Sequence, residues 1–133
     1  MTGRRTNPAR DGQLADLAEH YFAAVDRKDL SATLACFVPD ARITIATYDT
    51  VYEGRESGIR AMYVRLFARY ASVWHGDFDH VPQAPDRVAS RFQVRNVDLH
   101  GGVQVKNNCN FFRLRGDLFE EVFIYMSGDN SLR

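Results

Sequence analysis

RVASRFQVRNVDLHGGVQVKNNCNFFRLRGDLFEEVFIYMS, residues 87–127, is three runs of alternating apolar and polar residues divided by turn signals at Gly101-Gly102 and Gly116-Asp117. Alternation with period two marks strands, and turns this short join strands that lie antiparallel. The runs predict strands over Arg87–Leu99, Val103–Leu114 and Leu118–Ser127. In the first, Val88, Ser90, Phe92, Val94 and Asn96 share one face, while Arg87, Arg91, Gln93 and Arg95 share the other. The apolar face turns inward and carries Asn96 with it, and the basic face turns to solvent or to a dimer rim. Val97 and Leu99 break the alternation, which predicts a bulge there. In the last run Val122, Ile124 and Met126 alternate with Phe119, Phe123 and Tyr125. Both of its faces are apolar, so both require cover, one as a pocket lining and the other against a partner subunit.

Upstream, a further strand is expected over Val73–Val81, with its turn at Pro85-Asp86. Ile59, Met62, Tyr63, Leu66, Phe67 and Tyr70 recur at helical spacing and predict a helix over Ser57–Tyr70. Ala41–Thr47 reads as a strand with a short extension at Val51–Glu53. Leu14, Leu17, Ala18, Tyr21, Phe22 and Val25 predict a first helix capped at Asp11 or Gly12 and ending near Lys28. A second, capped by Asp29, runs through Leu30, Leu34 and Phe37 until Pro39 terminates it. Residues 1–10, polar and basic with Pro8, read as a flexible arm ahead of one domain over 11–133. Helices first and a long meander afterwards predict an α+β domain: a curved antiparallel sheet with three N-terminal helices around an apolar pocket.

Charge narrows the partners. Seventeen basic residues balance seventeen acidic ones, so neither nucleic acid nor an anionic membrane is an expected partner, and a neutral small molecule is. No apolar run reaches membrane-spanning length and Met1–Arg10 lacks the apolar core of a secretion signal, so the chain reads as cytoplasmic. Cys36 and Cys109 lie among phenylalanines and read as core, without a disulfide framework. No phosphate loop, Walker pattern or nucleophile elbow occurs. His75 and His80 with Asp77 and Asp79 suggest metal ligands, but residues five apart on a strand face opposite ways, so neither a metal nor a cofactor is expected.

The block HYFAAVDRKDLSATLACFVPDARI from His20 to Ile43, with YEGRESGIRAMY from Tyr52 to Tyr63, resembles the SnoaL-like branch of the nuclear transport factor 2-like superfamily, and the likeness runs from about Leu14 to Ser127. That resemblance implies a cone-shaped cystatin-like fold with a deep apolar pocket and a homodimer packed through the sheet. It implies dehydratase, cyclase or isomerase chemistry, or binding alone. By the ketosteroid isomerase pattern, Tyr21 is similar to the oxyanion-hole tyrosine and Asn110 takes the place of a protonated aspartate. That family's base position falls at Ile45, which accepts no proton, and this argues against steroid-type isomerisation. By the pattern of scytalone and bile-acid dehydratases, Tyr21 and Asp26 match, His75 is the counterpart of the catalytic histidine with His80 as second choice, and Asn96 stands where those relatives carry an acidic residue or histidine.

Removing water from a molecule requires a base at the carbon next to a carbonyl and an acid at the departing hydroxyl. A histidine held by an aspartate does both, since the carboxylate fixes its tautomer. The expected reaction is that of a cofactor-independent lyase or isomerase on a small apolar cyclic or polyketide-like molecule. Tyr21, Asp26 and His75 are the expected catalytic groups, and Asn96, Asn110, Phe92, Trp74 and His80 the substrate contacts. Each also has a plain structural reading: Tyr21 as a core tyrosine, Asp26 as a solvated or capping carboxylate, His75 as a packed ring beside Trp74, and the asparagines as backbone partners. On that reading the protein is a non-catalytic binding or accessory protein. His20, on the polar side of the first helix, and His100, in a hairpin turn, are not expected actors.

Overall fold

The structure is a computed structural model in which residues 6–133 are described. Six strands form one curved sheet in the order β2-β1-β6-β5-β4-β3, and the helices lie against its concave face. The long meander falls where its alternation places it: β3 is Tyr70–Gln83, β4 Arg87–Asp98, β5 Val103–Arg115 and β6 Leu118–Met126. Each pairs antiparallel with the next, in registers such as Phe92 with Asn108 and Asn110 with Ile124. β1, Phe37–Ile45, lies parallel to β6 and antiparallel to β2, Thr50–Glu53, so the sheet is antiparallel at every pairing but this one. Hydrophobic side chains from α1, Pro8–Asp26, fill the hollow, with Leu14, Ala18, Tyr21, Phe22 and Val25 all buried. No helix among the described residues is long and apolar enough to cross a membrane.

Several expectations need correction. The first helix begins at Pro8 rather than Asp11, capped by Asn7, whose side chain accepts from the Arg10 amide. Proline suits this first position because its missing N–H would have no partner there in any case. Arg10 is anchored: it donates to the carbonyls of Pro85 (2.9 Å) and Gly116 (2.7 Å) and pairs with Asp117 at 2.7 Å. The arm therefore does not extend to residue 10, and residues 1–5 lie outside the described residues. The second helix, α2, covers only Leu30–Leu34, and Phe37 and Pro39 belong to β1. Pro39 sits in the irregular stretch between Phe37 and Arg42, where a missing N–H breaks no ladder bond. The third helix opens with a π turn over Gly54–Ile59 and continues as α3, Arg60–Arg69. At Gly58 a Cβ would stand 2.6 Å from the Glu53 carbonyl oxygen, so this turn closes only on glycine.

The expected bulge at Val97–Leu99 is absent from the β4–β5 ladder, which is continuous from Arg87 to Val97. The irregularities lie on β3 instead, once between Tyr70 and Ser72 and once between Gly76 and Asp79. At the second, Asp77 takes a left-handed conformation, with φ 54°. Cys109, expected in the core, is half-buried on the outer face of β5 opposite Tyr125. Cys36 is half-buried at the end of α2, where burial pushes its thiol up to about 11.

Candidate active site

The bulge on β3 decides the site. Three residues of β3, from Gly76 to Asp79, span two of β4, so the parity of the strand slips by one. His75 and His80 would oppose each other on a regular strand; here both point inward, opposite Val94 and Ser90. The geometric ground for separating them therefore fails. They remain apart because the rings of Phe22 and Phe78 stand in series between them, with centroids 5.0 to 5.3 Å apart from ring to ring. Among the described residues no cluster of three metal-ligating side chains forms.

Each histidine meets a carboxylate on α1. Asp26 grips His75 twice: Oδ1 lies 2.6 Å from ring Nδ1, and Oδ2 accepts the His75 backbone N–H at 3.1 Å. A carboxylate accepts only, so Nδ1 carries the proton and Nε2 is left as a lone-pair base. That nitrogen has no protein partner among the described residues, and the His75 ring forms part of a cavity wall. Phe22 and Phe92 flank the ring at 5.0 and 5.6 Å and fix its plane. His80 differs. Its Nδ1 meets Ser90 Oγ at 2.7 Å and its Nε2 meets Glu19 at 3.1 Å, so both nitrogens are engaged and neither faces the cavity.

The cavity lies between α1, α3 and the inner faces of β3 to β6. Tyr21, Phe92, Asn96 and Asn110 join His75 in its wall, so five of the residues singled out in the sequence converge, with Asp26 behind them. Trp74 does not. It is 45% exposed on the outer face of β3 and folds across Gly76, where a Cβ would meet its ring at 2.2 Å. His80 is likewise excluded from the cavity, which removes two of the expected substrate contacts. Ile45 is fully buried and supplies no proton acceptor.

Tyr63 was missed as a site residue. Helical spacing placed it in the α3 stripe, but its hydroxyl meets that of Tyr21 in a hydrogen bond across the cavity floor, and nothing in the spacing specifies that partner. Burial pushes both phenols well above the usual tyrosine range, and Tyr63 itself partly offsets this for Tyr21 by hydrogen bonding. Two protonated hydroxyls share one bond, which leaves one O–H free to donate into the cavity. Asn108 and Lys106 were also missed, although they extend the inward parity of Asn110 along β5. Lys106 is 1% exposed and its ammonium donates to the carbonyls of Ser127 (2.7 Å) and Asp129, pinning the C-terminal segment. Tyr48, Tyr52 and Arg69 hold the carbonyls of Gly128, Leu132 and Ser131 in the same manner. Ser131 and Leu132 thereby close one end of the cavity.

As closed, the cavity measures about 40 Å³. That is room for water-sized molecules, against the roughly 300 Å³ or more of ordinary ligand sites. Its lining is also more polar than the apolar pocket expected from the sequence, with two tyrosines, three asparagines, a histidine and a serine.

Three comparisons bear on ancestry. The profile of the SnoaL-like domain family matches residues 18–122. A structure from Xanthomonas campestris pv. campestris, named provisionally as a polyketide cyclase, superposes with a TM-score of 0.78 at 21% identity, covering 87% of this chain and 91% of that one. One from Novosphingobium aromaticivorans, named provisionally as an aromatic ring hydroxylase, gives 0.78 at 23% identity over 94% of each chain. A protein of ketosteroid isomerase-like fold from Catenulispora acidiphila, in complex with trimethylamine, gives 0.73 at 17% identity over 83% of this chain and 84% of that one. At these identities the likeness establishes the fold alone. Comparison with curated proteins returns no match to this sequence. The chain belongs to the SnoaL-like domain family.

Proposed function

We propose that this protein is a cofactor-independent lyase or isomerase that moves a proton next to a carbonyl group of a small cyclic or polyketide-like substrate. The observation that carries this reading is the Asp26–His75 pair, 2.6 Å apart, with Nε2 at the wall of a cavity and without a partner among the described residues. In a dehydration, Nε2 removes the proton from the carbon next to the carbonyl. The C–H electron pair forms a carbon–carbon double bond and the carbonyl π pair moves to oxygen, giving an enolate whose oxygen accepts the free O–H of the Tyr21–Tyr63 pair. The imidazolium, stabilised by Asp26, then returns its proton to the departing hydroxyl, and the products are an enone and water. Tyr21 suits this as a hydrogen-bond donor because burial keeps its phenol protonated.

Entry of a substrate requires the cavity to enlarge, and Ser131 and Leu132 are the part of its wall that belongs to no helix or strand. Their displacement is the opening step in this reading. The chain also acts as a homodimer through the outer sheet face, where Trp74, Val105, Phe111 and Tyr125 are exposed together on β3, β5 and β6. A second reading, a non-catalytic binding protein, draws on the small volume of the closed cavity.

The reaction is tested with 3-hydroxycyclohexanone as a minimal β-hydroxy ketone, following enone absorbance, together with deuterium exchange next to the carbonyl of 1-tetralone by NMR. Dehydration or exchange that His75→Ala abolishes supports the enzyme reading. Binding of such ketones with neither reaction, in wild type as in the variant, favours the binder. For the dimer, Phe111→Glu should convert a sedimenting dimer to monomer; a wild-type monomer at all concentrations removes that part.

A further inference from the structure

Between α2 and the π turn that opens α3 lies a cleft of about 510 Å³, which shares no lining residue with the central cavity. Unlike that cavity, it already has the volume of an ordinary ligand site. One wall is apolar. Leu30 and Leu34 of α2 pack on the core behind it, and Ala35, the residue that caps α2, is exposed at its surface. The facing wall is ionic, made by Arg55, Glu56 and Arg60, and Ser31 adds a hydroxyl. One carboxylate serves both guanidinium groups. Arg55 meets Glu56 at 3.2 Å and donates to the Phe37 carbonyl at 3.3 Å, which fixes it at the cleft. Arg60 reaches the same carboxylate only at 3.5 Å, the far limit of a hydrogen bond, and takes no other acceptor among the described residues. The lining therefore keeps one positive charge unmatched, and most of the N–H donors of Arg60 face no protein acceptor. Exposed ion pairs of this length contribute little to stability, so bracing the fold does not account for the second arginine.

We infer that this cleft is a second ligand site, for an amphiphilic carboxylate whose head group lies on Arg60 and Arg55 and whose hydrocarbon tail runs along Leu30, Leu34 and Ala35. The planar fork of a guanidinium matches the two oxygens of a carboxylate, and each N–H···O bond to that charge is stronger than one to a neutral acceptor. The tail gains from leaving water against the leucine wall. Neither half suffices alone: a short carboxylate lacks the apolar contact, and a neutral amphiphile leaves the spare charge unmatched. An organic cation meets an excess of positive charge and is turned away. The site uses none of the residues assigned to proton transfer, so it stands or falls independently of the proposed reaction.

The test titrates octanoate, 1-octanol and acetate into the full chain, with calorimetry for affinity and amide NMR for location. Octanoate should shift the amides of residues 30–35 and 55–60 and bind at least about tenfold more tightly than either 1-octanol or acetate, the worth of one charge-assisted hydrogen bond or of a buried tail. Arg60→Gln, which removes the spare charge, and Ala35→Glu, which sets a carboxylate against the tail path, should each lower octanoate affinity by about tenfold or more. Both positions are exposed, so the variants should melt with the wild type. His75→Ala should bind octanoate as the wild type does, which separates this site from the acid-base chemistry. Equal binding of octanoate and 1-octanol overturns the inference, as does undiminished affinity in both cleft variants. So do shifts centred on the cavity residues His75, Asn96 and Asn110, or an absence of shifts in the cleft at millimolar octanoate.

Discussion

His75 and His80 occupy the same strand, turn the same way, and each meets a carboxylate of the same helix, yet only His75 keeps a ring nitrogen open to the cavity. Asp26 takes Nδ1 of His75 and leaves Nε2 at the cavity, whereas Glu19 and Ser90 between them take both nitrogens of His80. The contrast teaches that a carboxylate partner does not make a histidine a base. What matters is whether the second nitrogen has been spent. Around His80 the Phe78 ring stacks at 5.3 Å and Ser90 is fully buried, so that pair ties β3 to β4 and α1. Around His75 the neighbouring rings are also aromatic, but the open side is the cavity.

The sharpest way to break this contrast is to remove each imidazole in turn. His75→Ala should lower turnover of any ketone the protein accepts by ~10²–10⁴-fold, while His80→Ala should change it less than threefold; equal losses would end the distinction. Asp26→Asn comes next. It holds the ring but cannot favour the imidazolium, so turnover should fall by roughly 100-fold. The Asp26→Asn/His75→Ala double variant should be no worse than His75→Ala alone, since the two act as one unit.

On stability the order reverses. His80→Ala strands the buried Ser90 hydroxyl and should cost about 1–3 kcal/mol in urea unfolding; an unchanged midpoint would show that the contact is idle.

Alkaline pH probes the cavity from the tyrosine side. Burial raises both Tyr21 and Tyr63, so the folded protein holds phenolic protons that the unfolded chain releases near pH 10. The stability they contribute is complete below pH 10 and is lost as pH rises toward their folded values. Tyr63→Phe removes one such proton, and its urea midpoint should fall less between pH 9 and 11 than that of wild type.

The smallest effect is expected at the bulge. Asp77 sits at φ 54°, where glycine bears no Cβ penalty, so Asp77→Gly should be neutral or stabilising by up to ~1 kcal/mol. Asp77→Val should destabilise and weaken both histidine contacts together; a neutral valine would mean the bulge does not set their direction.

The meander was legible because turn glycines and period-two alternation are local signals, and β4, β5 and β6 begin where those signals place them. The α1 stripe was legible for the same reason. Pro8 and Pro39 misled in opposite ways, since proline at a helix start and proline in an irregular strand look alike to a reading that treats it only as a breaker. Trp74 was misassigned because its neighbour His75 faces inward and adjacent strand residues alternate, so the two could not share a wall.

By itself the sequence determined the element types, the inward parity of Ser90, Phe92, Asn96 and Asn110, and the pairing of Tyr21 with Asp26 on one helix end. Only the tertiary structure decided that a one-residue slip at Gly76–Asp79 brings both histidines inward, that Tyr63 reaches Tyr21, and that Ser131 and Leu132 close one end of the cavity. The physical reason is one of range. Propensity and periodicity act over a few residues, whereas a strand's register, a hydroxyl's partner and a cavity's last wall are set by contacts between segments distant in sequence, such as Asp26 with His75 and Lys106 with Ser127.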